Sequence, residues 1–585
     1  MVFSDLFFIF VFLPLFMLSY MLASYADRRL QADGMPAGAT CRNAVLVAFS
    51  LIFYAWGEPV YVFLMLLSVL ANYWAGLAID RGQGRNRAAL VAGLAVNVLI
   101  LGVFKYASFI AQTLADLGVP VAVPRISLPI GISFYTFQSI SYLVDVYRKE
   151  APAQRRYADL LLYISMFPQL IAGPIVRYDI VALQIRERAI MRFDLVEGIY
   201  RFFIGLGKKV ILANQFSEIA DQFLAGGLND LSTSGAWVGI LAFTFQIFFD
   251  FSGYSDMAIG LGRCLGFRFA ENFAHPYCCT SITDFWRRWH MSLGSFFRDY
   301  VYIPLGGNRR HQVANILVVW FLTGLWHGAS WNFVIWGLYF GIIVTLEKYT
   351  LLRVRDRIPS VLLHVYSLLL VVVGWGIFYF DDFGRMTAFF TAFAGNASEL
   401  HDFTVESALF GNFWLWVSGV LFSLPVYDFV SRRFARLFPA NTLLRRNRPA
   451  HKPALLPRRA PEVHRTAHLL RRVVIENVTV AVVAVEERQR QRVAVDAQKR
   501  RFILRRHRAQ ADFALLHRRD GFVYIHAFSS FRMPSTNHRI PGIRRIISDS
   551  PSVAPNPISS VSRYVSAAGS VVRSVSSIAV SSSTG

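Results

Sequence analysis

Residues 321–337 read "FLTGLWHGASWNFVIWG", a histidine in the middle of apolar sequence long enough to cross a bilayer. An ionisable side chain at that depth costs about 2.5–3.5 kcal/mol on insertion scales and usually marks a pathway or a reacting site. The alternative is a neutral imidazole that ties two helices together by hydrogen bonds. The neighbours favour a site. Thr323, Ser330 and Asn332 are polar, Gly324 and Gly328 permit close backbone approach, and Trp326, Trp331 and Trp336 supply rigid apolar surface. Apolar walls with a few placed polar groups are the composition of a binding pocket.

The rest of the chain carries the same solvent signature. Its 585 residues are 55% hydrophobic and only 17% charged, where soluble domains have about 25% charged residues. Stretches 6–26 and 59–79 each reach the roughly 20 residues that span the hydrocarbon layer. The first has no basic residue before it, carries Asp5 and is too long for a signal-peptide core, so it reads as a retained span. Further spans are expected near 43–56, 89–111, 126–147, 195–215, 236–262, 313–345, 361–380 and 411–430. The stretch 157–176 is broken by Pro168, Gly173 and Pro174, and reads either as a span or as a re-entrant segment buried among helices.

Loop charges orient these spans. Arg28 and Arg29, Arg81, Arg85 and Arg87, Arg148 and Lys149, Arg186 and Arg188, and Arg353, Arg355 and Arg357 mark one side, while loops 218–230 and 381–406 are acidic. Basic loops favour the cytoplasm. Because both flanks of 313–345 are basic, that segment must enter and return on one side, as two half-helices broken at "HGAS". The expected architecture is all-α: a polytopic membrane bundle with re-entrant or half helices around a central polar pore, plus amphipathic cytoplasmic helices. Residues 1–430 would form the membrane domain, with about ten spans.

Two other clusters carry candidate chemistry. "DFWRRWHMSLGSFFRDYVYIPLGG" (284–307) is too polar to span. Phe285, Trp289, Phe296 and Tyr300 recur at helical intervals, predicting an amphipathic helix at the interface or against the cytoplasmic face. Ser281 or Thr283 would cap it. His290 then reads either as a headgroup-facing residue or as a second functional histidine. "FFDFSGYSDMAIG" (248–260) sets Asp250, Ser252, Tyr254, Ser255 and Asp256 at the end of a span, as a water-boundary terminus or the lining of a polar cavity. Cys41, Cys264, Cys278 and Cys279 form no paired spacing. "HPYCC" lacks a second ligand pair, so no metal is expected, and no phosphate-binding glycine–lysine loop occurs in the first 440 residues.

These pieces, "FFDFSGYSDMAIGLGRCLGF", "ENFAHPY", "DFWRRWHMSLGSFFRDYVYIPLGGNR" and "FLTGLWHGASWNFVIWG", together with "PIGISFYTFQSISYLVDVYR" (129–148), resemble the membrane-bound O-acyltransferases. The likeness covers residue 1 to about 430 and is greatest to the bacterial branch that acetylates exported polysaccharides, alginate being the typical acceptor. It implies His327 as the family's membrane histidine and His290 as its second motif histidine. It also implies acetyl-CoA as the acyl donor with no bound cofactor, periplasmic acetyltransferase partners, and the bacterial inner membrane as location. Histidine, with a reference pKa near 6.5, suits removal of a hydroxyl proton, and it can also act as a nucleophile. Trp326, Ser330, Asn332, Asp250, Ser252, Tyr254, Asp256 and Arg288 are the candidate pocket residues. The competing class is a lipid or sugar transporter in which His327 is a gate or proton relay; inverted internal repeats would mark it, and none is found.

Residues 441–585 depart from the family pattern, which normally continues with membrane sequence. They hold 26 Lys/Arg against 8 Asp/Glu, so most of the chain's +23 formal charge belongs to this tail. Such a tail could sit on anionic lipid. Its Arg/Ser/Ala-rich text without an apolar core reads better as a shifted reading frame, disordered in either case. Membrane lipids are the expected partner, and nucleic acid is not.

Overall fold

The computed structural model describes residues 1–430 except 34–38, 82–85, 172, 229, 427 and 428. The basic tail, residues 431–585, lies outside the described residues. Every regular element among those described is helical. Seven helices among the described residues are long and apolar enough to cross a membrane: Phe8–Ala32, Thr40–Gly57, Tyr61–Arg81, Arg87–Asp116, Thr233–Cys264, Trp331–Arg357 and Ser360–Tyr379. An eighth candidate is a pair, Phe403–Phe410 and Phe413–Ser423, bent by 62° at its break. The protein is a polytopic helical membrane protein.

Boundaries follow local chemistry. Asn86 and Ser232 open their helices by accepting the backbone N–H of Ala89 and Gly235, a standard N-cap arrangement. The expected span at 126–147 is a shorter helix, Ile132–Arg148, entered through an extended stretch that Pro120, Pro124 and Pro129 keep out of helix. The broken stretch 157–176 forms two short helices, Tyr157–Ser165 and Phe167–Leu170, whose apolar side chains are buried. Irregular backbone is tolerated there because protein surrounds it.

The segment with both flanks basic forms a hairpin of two helices, Gln312–His327 and Trp331–Tyr349, joined at Gly328–Ser330. These helices are longer than the half-helices expected. At 1.5 Å per residue the first covers about 24 Å, with His327 at the end remote from the basic flank. The arms touch because glycines face each other. A Cβ on Gly324 would lie 2.3 Å from the Phe333 carbonyl oxygen, and one on Gly337 would lie 2.3 Å from that of Trp320.

The amphipathic stretch differs from expectation. Ser281 does cap it, accepting the Asp284 N–H at 3.0 Å, but it is not one helix. Ile282–Arg288 and Met291–Phe297 are separated by Trp289 and His290, and His290 adopts left-handed backbone with φ 45°. The result is a wedge with both feet on the basic side. At one foot the Glu347 carboxylate accepts the Ile282 and Thr283 N–H groups at 2.6 and 2.8 Å. At the other, Arg148 donates to the Asp299 carbonyl at 3.0 Å. Trp289 and His290 form the apex, inside the bundle. Phe285, Trp289 and Phe296 are all buried, so the wedge packs on protein and does not face headgroups.

Candidate active site

The hairpin turn and the wedge apex converge. The ring of His290 lies 5.5 Å from that of Trp326, and Trp326 lies 4.8 Å from His327. His327 is held by edge contacts alone, with Trp336 at 4.8 Å and Phe378 at 5.4 Å. Neither of its ring nitrogens is hydrogen-bonded to a described residue. His327 is partly exposed and borders a cavity of about 620 Å³, shared with Trp326, Asp250, Tyr254, Lys105 and Lys209. The cavity rim includes Val2, Leu128 and Ile130, which are 47%, 53% and 45% exposed. Leu128 and Ile130 belong to the stretch after Arg87–Asp116, a helix that begins on the basic side, so the mouth opens away from the basic loops.

His290 is different in kind. It is 2% exposed, packed edge-on against Phe251 at 4.6 Å, and its Nδ1 lies 3.1 Å from the Asn272 Oδ1. That oxygen also accepts the Ser292 N–H at 3.2 Å and the Ser292 hydroxyl at 2.9 Å. A backbone N–H can only donate, so the oxygen assignment is secure and Nδ1 must carry the His290 proton. Nε2 is then the unprotonated nitrogen of the neutral ring, and it is buried without a hydrogen-bond partner among the described residues. The headgroup-facing reading of His290 is therefore incorrect, because a left-handed turn drives the ring into the bundle.

The carboxylate cluster is not at a helix end. Asp250 and Asp256 lie within the helix Thr233–Cys264. Their counter-ions come from the neighbouring helix: Lys209 bonds Asp250 at 2.7 Å, and Lys208 bonds Asp256 at 2.7 Å. Arg201 adds a 2.8 Å bond to Asp256 and pairs with Glu271. Lys208 and Lys209 sit where the helix Arg192–Gly207 runs into a wide turn, Lys208–Ala213. Of this cluster, Asp250 and Tyr254 reach the cavity wall.

Other candidates lie elsewhere. Ser252 is buried without a hydrogen-bond partner among the described residues. Asn332 donates toward the Ile377 and Phe378 carbonyls at 3.5 and 3.3 Å, bracing the hairpin against Ser360–Tyr379. Ser330 is the residue before the returning helix and makes no side-chain cap. Arg288 bonds Asp284 one turn back at 3.0 Å, with a 37% exposed side chain. None of these four, nor Asp256, borders the cavity.

Three groups escaped the sequence reading. Asn272 fixes the His290 tautomer, Lys209 neutralises Asp250, and Lys105 borders the cavity while 8% exposed. The signal for the lysines was present: "GVFKYASF" and "GLGKKVIL" put cations inside apolar segments, where they need partners.

Comparison with known proteins bears on the chemistry. The model of the membrane-bound O-acyltransferase family matches residues 10–385. A probable alginate O-acetylase of Azotobacter vinelandii is 44% identical over 389 residues, covering 65% of this chain and 75% of that protein. A peptidoglycan O-acetyltransferase of Helicobacter pylori is 34% identical over 415 residues, 65% of this chain and 77% of that protein. A teichoic acid D-alanyltransferase of Bacillus subtilis is 29% identical over 238 residues, 38% of this chain and 59% of that protein.

Proposed function

The chain belongs to the membrane-bound O-acyltransferase family and is an O-acyltransferase; from that premise we propose that it moves acetyl groups from cytoplasmic acetyl-CoA toward hydroxyls of an exported polysaccharide, alginate first among candidates. The observation that carries this reading is the state of His327, an imidazole on the wall of a cavity with neither nitrogen hydrogen-bonded to a described residue. Acyl transfer to an alcohol needs a group that takes the hydroxyl proton as the oxygen attacks the thioester carbon. A positioned general base contributes about 10²–10⁴-fold. His327 fills that role. Trp326, Trp336 and Phe378 around it exclude water, which protects the thioester from hydrolysis.

His290 orients rather than reacts. Its proton is committed to Asn272, and its ring packs on Trp326, the residue before His327. The cavity mouth lies away from the basic loops, which fits an acceptor arriving from outside while the donor approaches from the cytoplasm. The acceptor is the polymer itself or a periplasmic transferase that passes the acetyl group on, and the membrane is the bacterial inner membrane. The transporter reading has no support in the family match.

Sealed vesicles test the proposal. Acetyl-labelled acetyl-CoA is supplied on the cytoplasmic face alone, with oligouronate acceptor and periplasmic fraction on the other. Label should appear on the acceptor with release of free thiol. Label that appears only when donor and acceptor share the outer face would contradict the transmembrane route.

A further inference from the structure

Two lysines border the His327 cavity, and their surroundings differ. Lys209 has a carboxylate, Asp250, at 2.7 Å. Lys105 makes no ion pair with any described residue. Its ammonium donates to the Ser133 hydroxyl at 3.1 Å and to the Trp326 carbonyl, and it lies 5.7 Å from the Tyr106 ring centroid. An ammonium has three donors, so these neutral partners leave one. A buried cation with no counter-charge is costly, and the described residues supply none here.

The local backbone explains how the lysine arrives. Gly102–Tyr106 is a π-turn within the span Arg87–Asp116. Adjacent residues on a regular α-helix point about 100° apart. Here Lys105 and Tyr106 both reach the end of the His327 helix: Tyr106 donates to the Leu325 carbonyl at 2.8 Å and Lys105 to the next carbonyl, that of Trp326. These are among the last four carbonyls, which a helix leaves unsatisfied. One neutral and one charged donor therefore grip consecutive carbonyls just before His327. Only the charged one borders the cavity.

We propose that the missing counter-ion is transient: Lys105 is a catalytic residue whose free N–H and positive charge stabilise the oxyanion formed on the acyl carbonyl during transfer. The inference rests on the acyl-transfer reading of the same cavity. As the acceptor oxygen bonds to the acyl carbon, its proton passes to His327 and the carbonyl electron pair moves onto oxygen. That oxygen carries the negative charge that Lys105 faces. When the intermediate collapses, the C–S bond breaks, the carbonyl re-forms, and His327 returns the proton to the departing thiolate. Ester and free thiol are the products.

The test uses the purified full-length protein in lipid nanodiscs, with acetyl-CoA and an oligouronate, following thiol release and acetyl ester formation. K105M should lower kcat by about 10²–10³-fold, the usual effect of losing an oxyanion donor, with KM for acetyl-CoA within about twofold of wild type. K105R should recover at least about tenfold of that loss. Y106F, which removes only the neutral grip, should stay within about tenfold of wild-type kcat. A loss confined to KM would overturn the proposal, because Lys105 would then pair with a ground-state anion such as a donor phosphate or acceptor carboxylate. Equal losses in K105M and Y106F would overturn it too, leaving Lys105 a brace for the hairpin. If K105M does not accumulate, K105Q carries the same kcat-against-KM comparison. His327→Gly run in parallel separates the levels: an active His327→Gly variant defeats the assignment of this cavity as the acyl-transfer site, whereas inactive His327→Gly with fully active K105M defeats only the role of Lys105.

Discussion

His290 and His327 flank one tryptophan, yet their surroundings have almost nothing in common. At the wedge apex, His290 has a left-handed backbone, a committed Nδ1 proton and an aromatic cage. At the hairpin turn, His327 is steered by three aromatic edges and has no polar partner among the described residues. In sequence both are histidines set among tryptophans and phenylalanines. Depth therefore does not separate the two rings; what separates them is that His327 borders an open volume with neither nitrogen hydrogen-bonded to a described residue, whereas His290 is enclosed.

The comparison can be broken by substitution. The largest effect should follow His327→Gly, an activity loss of about 10²–10⁴-fold, with only a modest fall of the thermal midpoint in detergent, because aromatic contacts are lost but no hydrogen bond is removed. Comparable loss of folding would instead make His327 a structural residue. Next, Gly337→Ala should force the hairpin arms apart, since the new Cβ would sit 2.3 Å from the Trp320 carbonyl oxygen. Overpacking of this kind costs about 1–3 kcal/mol, and activity should fall with stability because His327 moves. Asn272→Ala should cost about 1–3 kcal/mol by stranding the buried Ser292 N–H and His290 Nδ1, visible as a lowered midpoint with partial activity retained. Full activity with an unchanged midpoint would show that the His290 tautomer is unimportant. Smallest of all, Arg288→Ala should change stability by less than about 0.5 kcal/mol, as exposed ion pairs contribute little, and leave turnover intact. A large loss of turnover would return Arg288 to the pocket.

Much of the architecture was legible because the bilayer imposes simple rules. Long apolar runs became helices, and two basic flanks around 313–345 required a return to the same side. His327 and Asp250 stood out as ionisable groups in apolar text. The wedge was hidden because its aromatic period runs straight through Trp289 and His290, so nothing in the spacing announces a left-handed break. Lys105 was hidden for another reason: its partner is a main-chain carbonyl 221 residues away, and a carbonyl has no sequence signature. The pairing of Lys208 and Lys209 with Asp256 and Asp250 was within reach. Two carboxylates inside one apolar helix require cations, and the preceding apolar segment contains two lysines in a row.

Chemical rescue is the most direct measurement. His327→Gly leaves a ring-sized gap on the cavity wall, and free imidazole added to that variant should enter and restore thiol release from acetyl-CoA in a saturable manner. A His290→Gly variant should gain nothing from the same addition. Failure of imidazole to restore turnover in a folded His327→Gly protein, or equal rescue of both variants, would contradict a proton-accepting His327.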